Sequence, residues 1–321
     1  MEGKNGKTKV FKWAAAVMLA AMMIAGCNQA QGNSSSGKSA DTPPTPPTPP
    51  TPPADKTYTV GGVSFVMKGI AAVTDKSIGH TDNASNNGPH TVSLTAYRIG
   101  ETEVTQELWE KVMGSNPSSF SSSPESGEVQ EKRPVENVNW YQCIAFCNEL
   151  TKKIPELGES QCVYTVDGHT YGTADAMAEK VPVLDMTKNG FRLPTEAEWE
   201  WAAMGGTNDK WAGTNTEGGL GTYAWYNANS NNKTHEVKKR TANGYRLYDM
   251  SGNVAEWCWD WYSNSTPTGG KDPTGAASGY FRVMRGGSWE DDADRAARAY
   301  RGIYFPDIRG INLGLRVACR A

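Results

Sequence analysis

The sequence predicts one α+β domain of short strands, few helices and long loops over residues 57–321, on three observations. The 321-residue chain carries 11 Trp, enough large rings to pin irregular backbone without much regular structure. Its connections are rich in Gly, Asn and Ser, which interrupt helices and strands and keep them short. Three capping residues, Thr105, Asn139 and Thr195, each stand before apolar residues at helical spacing, so helices are expected to begin at those points.

Ahead of the domain, residues 1–26 read as an export leader. Lys4, Lys7, Lys9 and Lys12 precede an apolar run from Trp13 to Ala25, which is too short to span a bilayer as a helix. Ile24-Ala25-Gly26-Cys27 then has the form of a bacterial lipobox, with cleavage before Cys27 and lipidation of that residue. The expected location is therefore the outside of a bacterial outer membrane, held by lipid. Residues 27–56 are the tether. Thr42 to Pro53 repeats Thr-Pro-Pro, and polyproline II at roughly 3.1 Å per residue makes that repeat a semi-rigid stalk on the order of 37 Å long. The formal charge of −3 includes this basic leader, so the rest is more acidic, and an acidic surface excludes nucleic acid as a partner.

Within the domain, Val60–Met67 has strand character around Gly61-Gly62, and Tyr97–Val104 reads as a second strand. Thr105 caps a helix bearing Leu108, Trp109, Val112 and Met113 on one face, ended by Gly114. Residues 115–133 are an exposed loop. Asn139 caps a second helix with Cys143, Cys147 and Leu150 in one stripe. Thr195 and Glu198 form the capping box of a third. At the C-terminus, Arg285-Gly286-Gly287-Ser288-Trp289 reads as a tight turn leading into a strand-like piece, and Leu313, Leu315 and Val317 as an alternating, half-buried last strand. The residues between have no sustained period.

Several motifs give the chain a resemblance to a known family: Pro134-Val135-Glu136-Asn137-Val138-Asn139-Trp140, the stretch Gly190–Ala202 with Arg192-Leu193-Pro194-Thr195-Glu196-Ala197-Glu198-Trp199 at its centre, the stretch Asn243–Trp257 ending in Gly252-Asn253-Val254-Ala255-Glu256-Trp257, and the Arg285–Trp289 and Leu313–Arg316 pieces. Together they resemble the formylglycine-generating-enzyme, or sulfatase-modifying-factor, family, whose fold is a decorated C-type lectin fold. The C-terminal stretch most resembles the members whose genes are diversified by retroelements, in which adenine-directed mutagenesis rewrites chosen codons near the 3′ end. That resemblance implies a surface-displayed, non-catalytic ligand-binding lipoprotein with its variable site inside residues 285–316.

On that reading Arg285–Trp289 and Asn312–Val317 are framework, and Ala293, Ala296, Ala297 and Ala299 are small buried spacers. The expected ligand-binding positions are Glu290, Asp291, Asp292, Asp294, Arg295, Tyr300, Gly302, Ile303, Tyr304, Phe305, Ile308, Gly310 and Ile311. Their aromatic and aliphatic members would form an apolar patch rimmed by charge, the composition of a binding hot spot for a protein or other surface ligand.

The competing reading is a formylglycine-generating oxidase. The family's redox-active Cys pair falls at Asp291 and Ala296 here, and neither can form a mixed disulfide. The resemblance also implies a calcium loop, with Asp249 and Glu256 side chains and the Gly252 and Val254 carbonyls as oxygen ligands suited to a hard cation. The alternative is that the same groups hydrogen-bond the loop internally. No cofactor is required, and calcium enters only as a structural ion. Five cysteines follow Cys27 (Cys143, Cys147, Cys162, Cys258 and Cys319), an odd number that leaves at least one free. The family ties the second helix to its last strand, which implies Cys319 near Cys147 with a disulfide an open question. His80, His90, His169 and His235 lack metal-ligand spacing.

Overall fold

The computed structural model describes residues 50–321. The expected signal peptide, the Cys27 anchor and most of the tether lie outside these residues. The chain enters a hairpin of β1 (Lys56–Val60) and β2 (Val63–Ile70). Val60 pairs with Val63 across Gly61 and Gly62, whose positive φ values of 56° and 85° a two-residue hairpin turn requires. Around the expected strand the sequence therefore turns back on itself. Next come β3 (Val73–Ile78), the single turn α1 (Ala84–Asn87), β4 (His90–Leu94) and β5 (Tyr97–Gly100).

β5 ends at Gly100, four residues before the sequence pattern does, because Glu101–Val104 turns away to other partners. The Val104 amide donates to Leu315 O at 2.9 Å. Thr105 then caps α2 (Gln106–Met113), which Gly114 closes in the left-handed region. α3 (Trp140–Lys152) starts with a reciprocal capping box between Asn139 and Gln142. β6 (Tyr164–Val166), β7 (His169–Thr170), α4 (Thr173–Met177) and β8 (Val183–Leu184) form a small excursion before α5 (Glu196–Met204). The α5 capping box uses Thr195 and Glu198, and Arg192 clamps Glu198 through two bonds of 2.6 and 2.7 Å. All three helices begin where their capping residues stand.

Beyond α6 (Glu217–Leu220) the chain forms β9 (Ala255–Trp261), β10 (Gly270–Lys271), β11 (Arg282–Arg285), β12 (Gly302–Tyr304), β13 (Leu313–Gly314) and β14 (Ala318–Arg320). The described strands form four small sheets, ordered β1-β2-β5-β14, β10-β4-β3, β12-β11-β9-β13 and β7-β6-β8. Two further features differ from the sequence pattern. The Gly-Gly turn follows a strand, β11, and leads into turns, since Gly286 and Gly287 (φ 94° and 64°) redirect the chain away from the sheet. The last strand is two strands in two sheets, and residues 313–319 are buried on both faces. Arg316 is among them because a carboxylate meets it inside.

The larger core packs α2 and α3 against both four-stranded sheets, with Trp140, Trp257, Phe146 and Leu315 fully buried. A second core lies around Trp199 of α5, and a third, of Trp211, Leu220, Ala293, Ala296 and Ala297, lies beneath the C-terminal stretch. The described cysteines are all buried and free. Cys147 and Cys319 share the larger core without a disulfide.

Candidate ligand-binding surface

The stretch from 285 to 317 is built from the inside out. A Cβ on Gly287 would lie 2.8 Å from Arg295 O and 2.9 Å from the Ala296 backbone, so only glycine lets those two pieces of chain touch. Ser288 Oγ donates to Asp291 at 2.6 Å, and the Trp289 indole N–H donates to Ile311 O at 3.1 Å, tying the two ends of the stretch together. Ala293, Ala296, Ala297 and Ala299 are buried as the sequence suggests.

Three arginines fasten the same stretch to α5. Arg285 bonds Glu196 at 3.0 Å and Glu200 at 2.5 Å. Arg298 bonds Glu200 at 2.8 Å, and Arg301 grips both oxygens of Glu196 at 2.6 and 2.8 Å. All are buried, and removing one partner of such a pair costs about 3–5 kcal/mol because the remaining charge is left in the interior. The chain between these pins is therefore held largely by backbone, alanines and arginines.

Of the thirteen expected positions, nine are exposed: Glu290, Asp292, Asp294, Arg295, Ile303, Tyr304, Phe305, Ile308 and Ile311. The five apolar ones expose 37–49% of their surface, whereas burial would have ended the display reading. Tyr300 and Asp291 are half-buried. Tyr300 leans on the third core, and Asp291 is engaged by Ser288 and, at 3.2 Å, by Arg295.

Gly302 must be corrected: it is buried in β12, and an added Cβ would meet Met284 at 2.6 and 2.7 Å. Gly310 also serves the frame. Its carbonyl accepts from Asn137 and Leu313, and a Cβ there would lie 2.5 Å from Asn312 Oδ1.

The structure adds residues the pattern missed. Exposed Tyr280 and half-buried Phe281 precede β11, and the antiparallel register that pairs Arg282 with Tyr304 brings Phe281 to Phe305, ring centroids 4.5 Å apart. Exposed Asp307 and Arg309 complete the rim. Only strand pairing could have revealed Phe281, since more than twenty residues separate it from its neighbour.

Asp291 lines a cavity of only about 30 Å3 with Ala255, Met284, Gly287, Arg295 and Tyr300, room for roughly one water. No described cysteine lines it. Ala296 is fully buried.

Asp249, Gly252 and Val254 lie in one loop, and Glu256 lies in β9, the strand that follows it. Glu256 accepts from the Trp199 indole at 2.6 Å and from Arg316 at 2.8 and 3.1 Å. Asp249 accepts the Lys238 amide on one oxygen, and its buried Oδ1 has no partner. Glu103 joins them by accepting the Val254 amide at 2.9 Å. Burial, more than its neighbours, raises Asp249 to about 6 and Glu103 well above the carboxylate range. Arg316 is the one cation hydrogen-bonded to this group of three carboxylates among the described residues. Among those residues no three His, Cys, Asp or Glu side chains converge as a metal cluster, so an ion there would rest mainly on Asp249, Glu256 and backbone carbonyls.

Residues 44–321 match the family model described as a sulfatase-modifying factor enzyme 1-like domain. The chain is 55% identical to Treponema denticola variable protein 1, with a TM-score of 0.77 over 84% of this chain and all of that one. It is 35% identical over 249 residues to the chaperone protein LppX of Paenibacillus barcinonensis, covering 70% of this chain and 81% of the relative. It is 38% identical over 148 residues to the formylglycine-generating enzyme of Streptomyces coelicolor, covering 40% of this chain and 46% of the enzyme. The fold is accordingly the α+β C-type lectin fold of the formylglycine-generating-enzyme subclass. The chain belongs to the sulfatase-modifying factor enzyme 1-like domain family.

Proposed function

We propose that this protein is an exported, lipid-anchored and non-catalytic binder whose ligand meets the surface formed by residues 290–311. The observation that carries the reading is the apolar group Ile303, Tyr304, Phe305, Ile308 and Ile311, exposed on chain that buried alanines and arginines hold in place. Exposed apolar patches mark binding sites, and aromatic anchors inside a charged rim supply most of the energy. Similarity to a Treponema variable protein supports diversification of these positions by a retroelement, and Asp291 and Ala296 at the thiol positions oppose oxidase chemistry.

The partner is a protein or another surface ligand, not nucleic acid, and Cys27 carries the membrane anchor. The carboxylates around Asp249 fit a structural calcium ion, because a buried Asp249 oxygen without a partner is free to serve as a ligand to a hard cation.

The test is a variant carrying Ile303→Ser, Tyr304→Ser, Phe305→Ser and Ile308→Ser. Its melting temperature should stay within a few degrees of the parent, while affinity for a ligand selected against the parent falls at least a hundredfold. Unchanged affinity would place the site elsewhere. Sequencing the gene's neighbourhood for an adenine-rich template repeat beside a reverse transcriptase tests diversification. Conversion of a sulfatase-motif peptide would overturn the non-catalytic assignment.

A further inference from the structure

A cavity of about 320 Å3 lies between α5, the end of β9 and the 263–276 loop, apart from the exposed apolar surface. Its walls include Ile78, Ala197, Trp261 and Pro267, and its polar lining includes Asn87, Glu196, Glu200, Asp260 and Arg301. Most of those polar groups are already paired. Glu196 is held by Arg285 and Arg301, and Glu200 by Arg285, Arg298, the Gly79 amide and Asn87. Arg301 also donates to the carbonyls of Asn86, Ser263 and Ser265.

Two groups remain unmet. Asn87 is 1% exposed, and its Nδ2 donates to Glu200 at 2.8 Å and to Ala299 O at 2.9 Å. Both partners are acceptors, so the amide cannot be flipped, and its Oδ1 is left without a partner. Asp260 is 4% exposed and accepts one hydrogen bond, from the Glu196 amide at 2.8 Å. Among the described residues no donor reaches its other oxygen. Both are acceptors; Asn87 Oδ1 is buried without a partner, and the second Asp260 oxygen has no protein donor among the described residues.

We propose that this cavity binds a small organic ammonium ion, whose N–H donors satisfy Asn87 Oδ1 and the Asp260 carboxylate while its alkyl part lies against Ile78, Ala197 and Trp261. A positive charge suits the surroundings of Asp260 better than a neutral hydroxyl does. Burial first, then Glu196 and Glu198, push Asp260 up to about 8, with Arg301 opposing; Arg282 and Cys258 also face it. An ammonium ion would take the place of the proton there, so binding strengthens as pH rises through that value.

Titration calorimetry with n-butylammonium chloride, and with n-butanol as its uncharged counterpart, tests the idea on the full chain. Butylammonium, still charged at pH 9 as a lysine amine is, should bind there and bind at least tenfold more weakly at pH 6.5. Butanol should bind at least tenfold more weakly than the amine at pH 9. Asp260→Asn should lose at least tenfold in affinity. If that variant unfolds, Ala276→Phe at an exposed lining position should block binding with unchanged melting. No heat at pH 9, equal binding of butanol, or parental affinity in a folded Asp260→Asn or Ala276→Phe chain would overturn the proposal.

Discussion

Trp199 shows how single side chains organise the domain. It is fully buried, its indole N–H holds Glu256, and Glu256 in turn holds Arg316 near the end of the chain. Its ring lies so close to Gly286 that a Cβ there would sit 3.2 Å away, so the ring helps set the turn that launches the exposed stretch. Trp257 is equally buried and donates to Val138 O at 3.1 Å, while Trp289 bridges to Ile311 O. Replacing any of the three by Ala should cost about 3–5 kcal/mol through the lost ring and the cavity left behind. Urea unfolding measures the loss, and parental midpoints would mean the rings bear no packing load. These residues stood out in the sequence because each lies inside a framework motif. The arginine partners did not. Nothing in spacing joins Arg301 to Glu196, which lies 105 positions earlier.

Among the elements, the helices follow local chemistry closely. Thr105, Asn139 and Thr195 each accept from a backbone amide of the first turn, an interaction available before any tertiary contact exists. The strands are different. β5 stops at Gly100 and the last strand breaks in two because their partners change, and partners are tertiary facts. The loop around Asp249 is the element on which ion binding depends. If calcium occupies it, adding EDTA should lower the melting temperature by several degrees, and excess calcium should restore it by mass action. Asp249→Asn should shrink that response. A melting curve indifferent to chelator and to added calcium would leave the loop to its hydrogen bonds and Arg316 alone.

Across the whole molecule, buried carboxyls should set the pH response. Asp260 is pushed up to about 8 and Glu136 to about 7, both chiefly by burial. In the unfolded chain each would titrate near the ordinary carboxylate value of about 4. Between pH 4 and pH 8 the folded state therefore holds protons that the unfolded state has released, so stability falls as pH rises through this window. The urea midpoint should be higher at pH 5.5 than at pH 8. Asp260→Asn, which mimics the neutral form, should flatten part of the slope. A midpoint that climbs from pH 5.5 to pH 8 would show that these two carboxyls are ionised in the folded protein.

The sequence by itself determined the fold class, the helix starts, the buried alanine spacers and most of the exposed positions, because capping, glycine turns and small-residue spacing act within a few residues. Only the tertiary structure decided that Gly302 and Gly310 belong to the frame, that Phe281 joins Phe305, and that three arginines anchor the stretch to α5. Each of those outcomes depends on chain segments distant in sequence meeting at van der Waals or hydrogen-bond distance, and local pattern holds no record of such meetings.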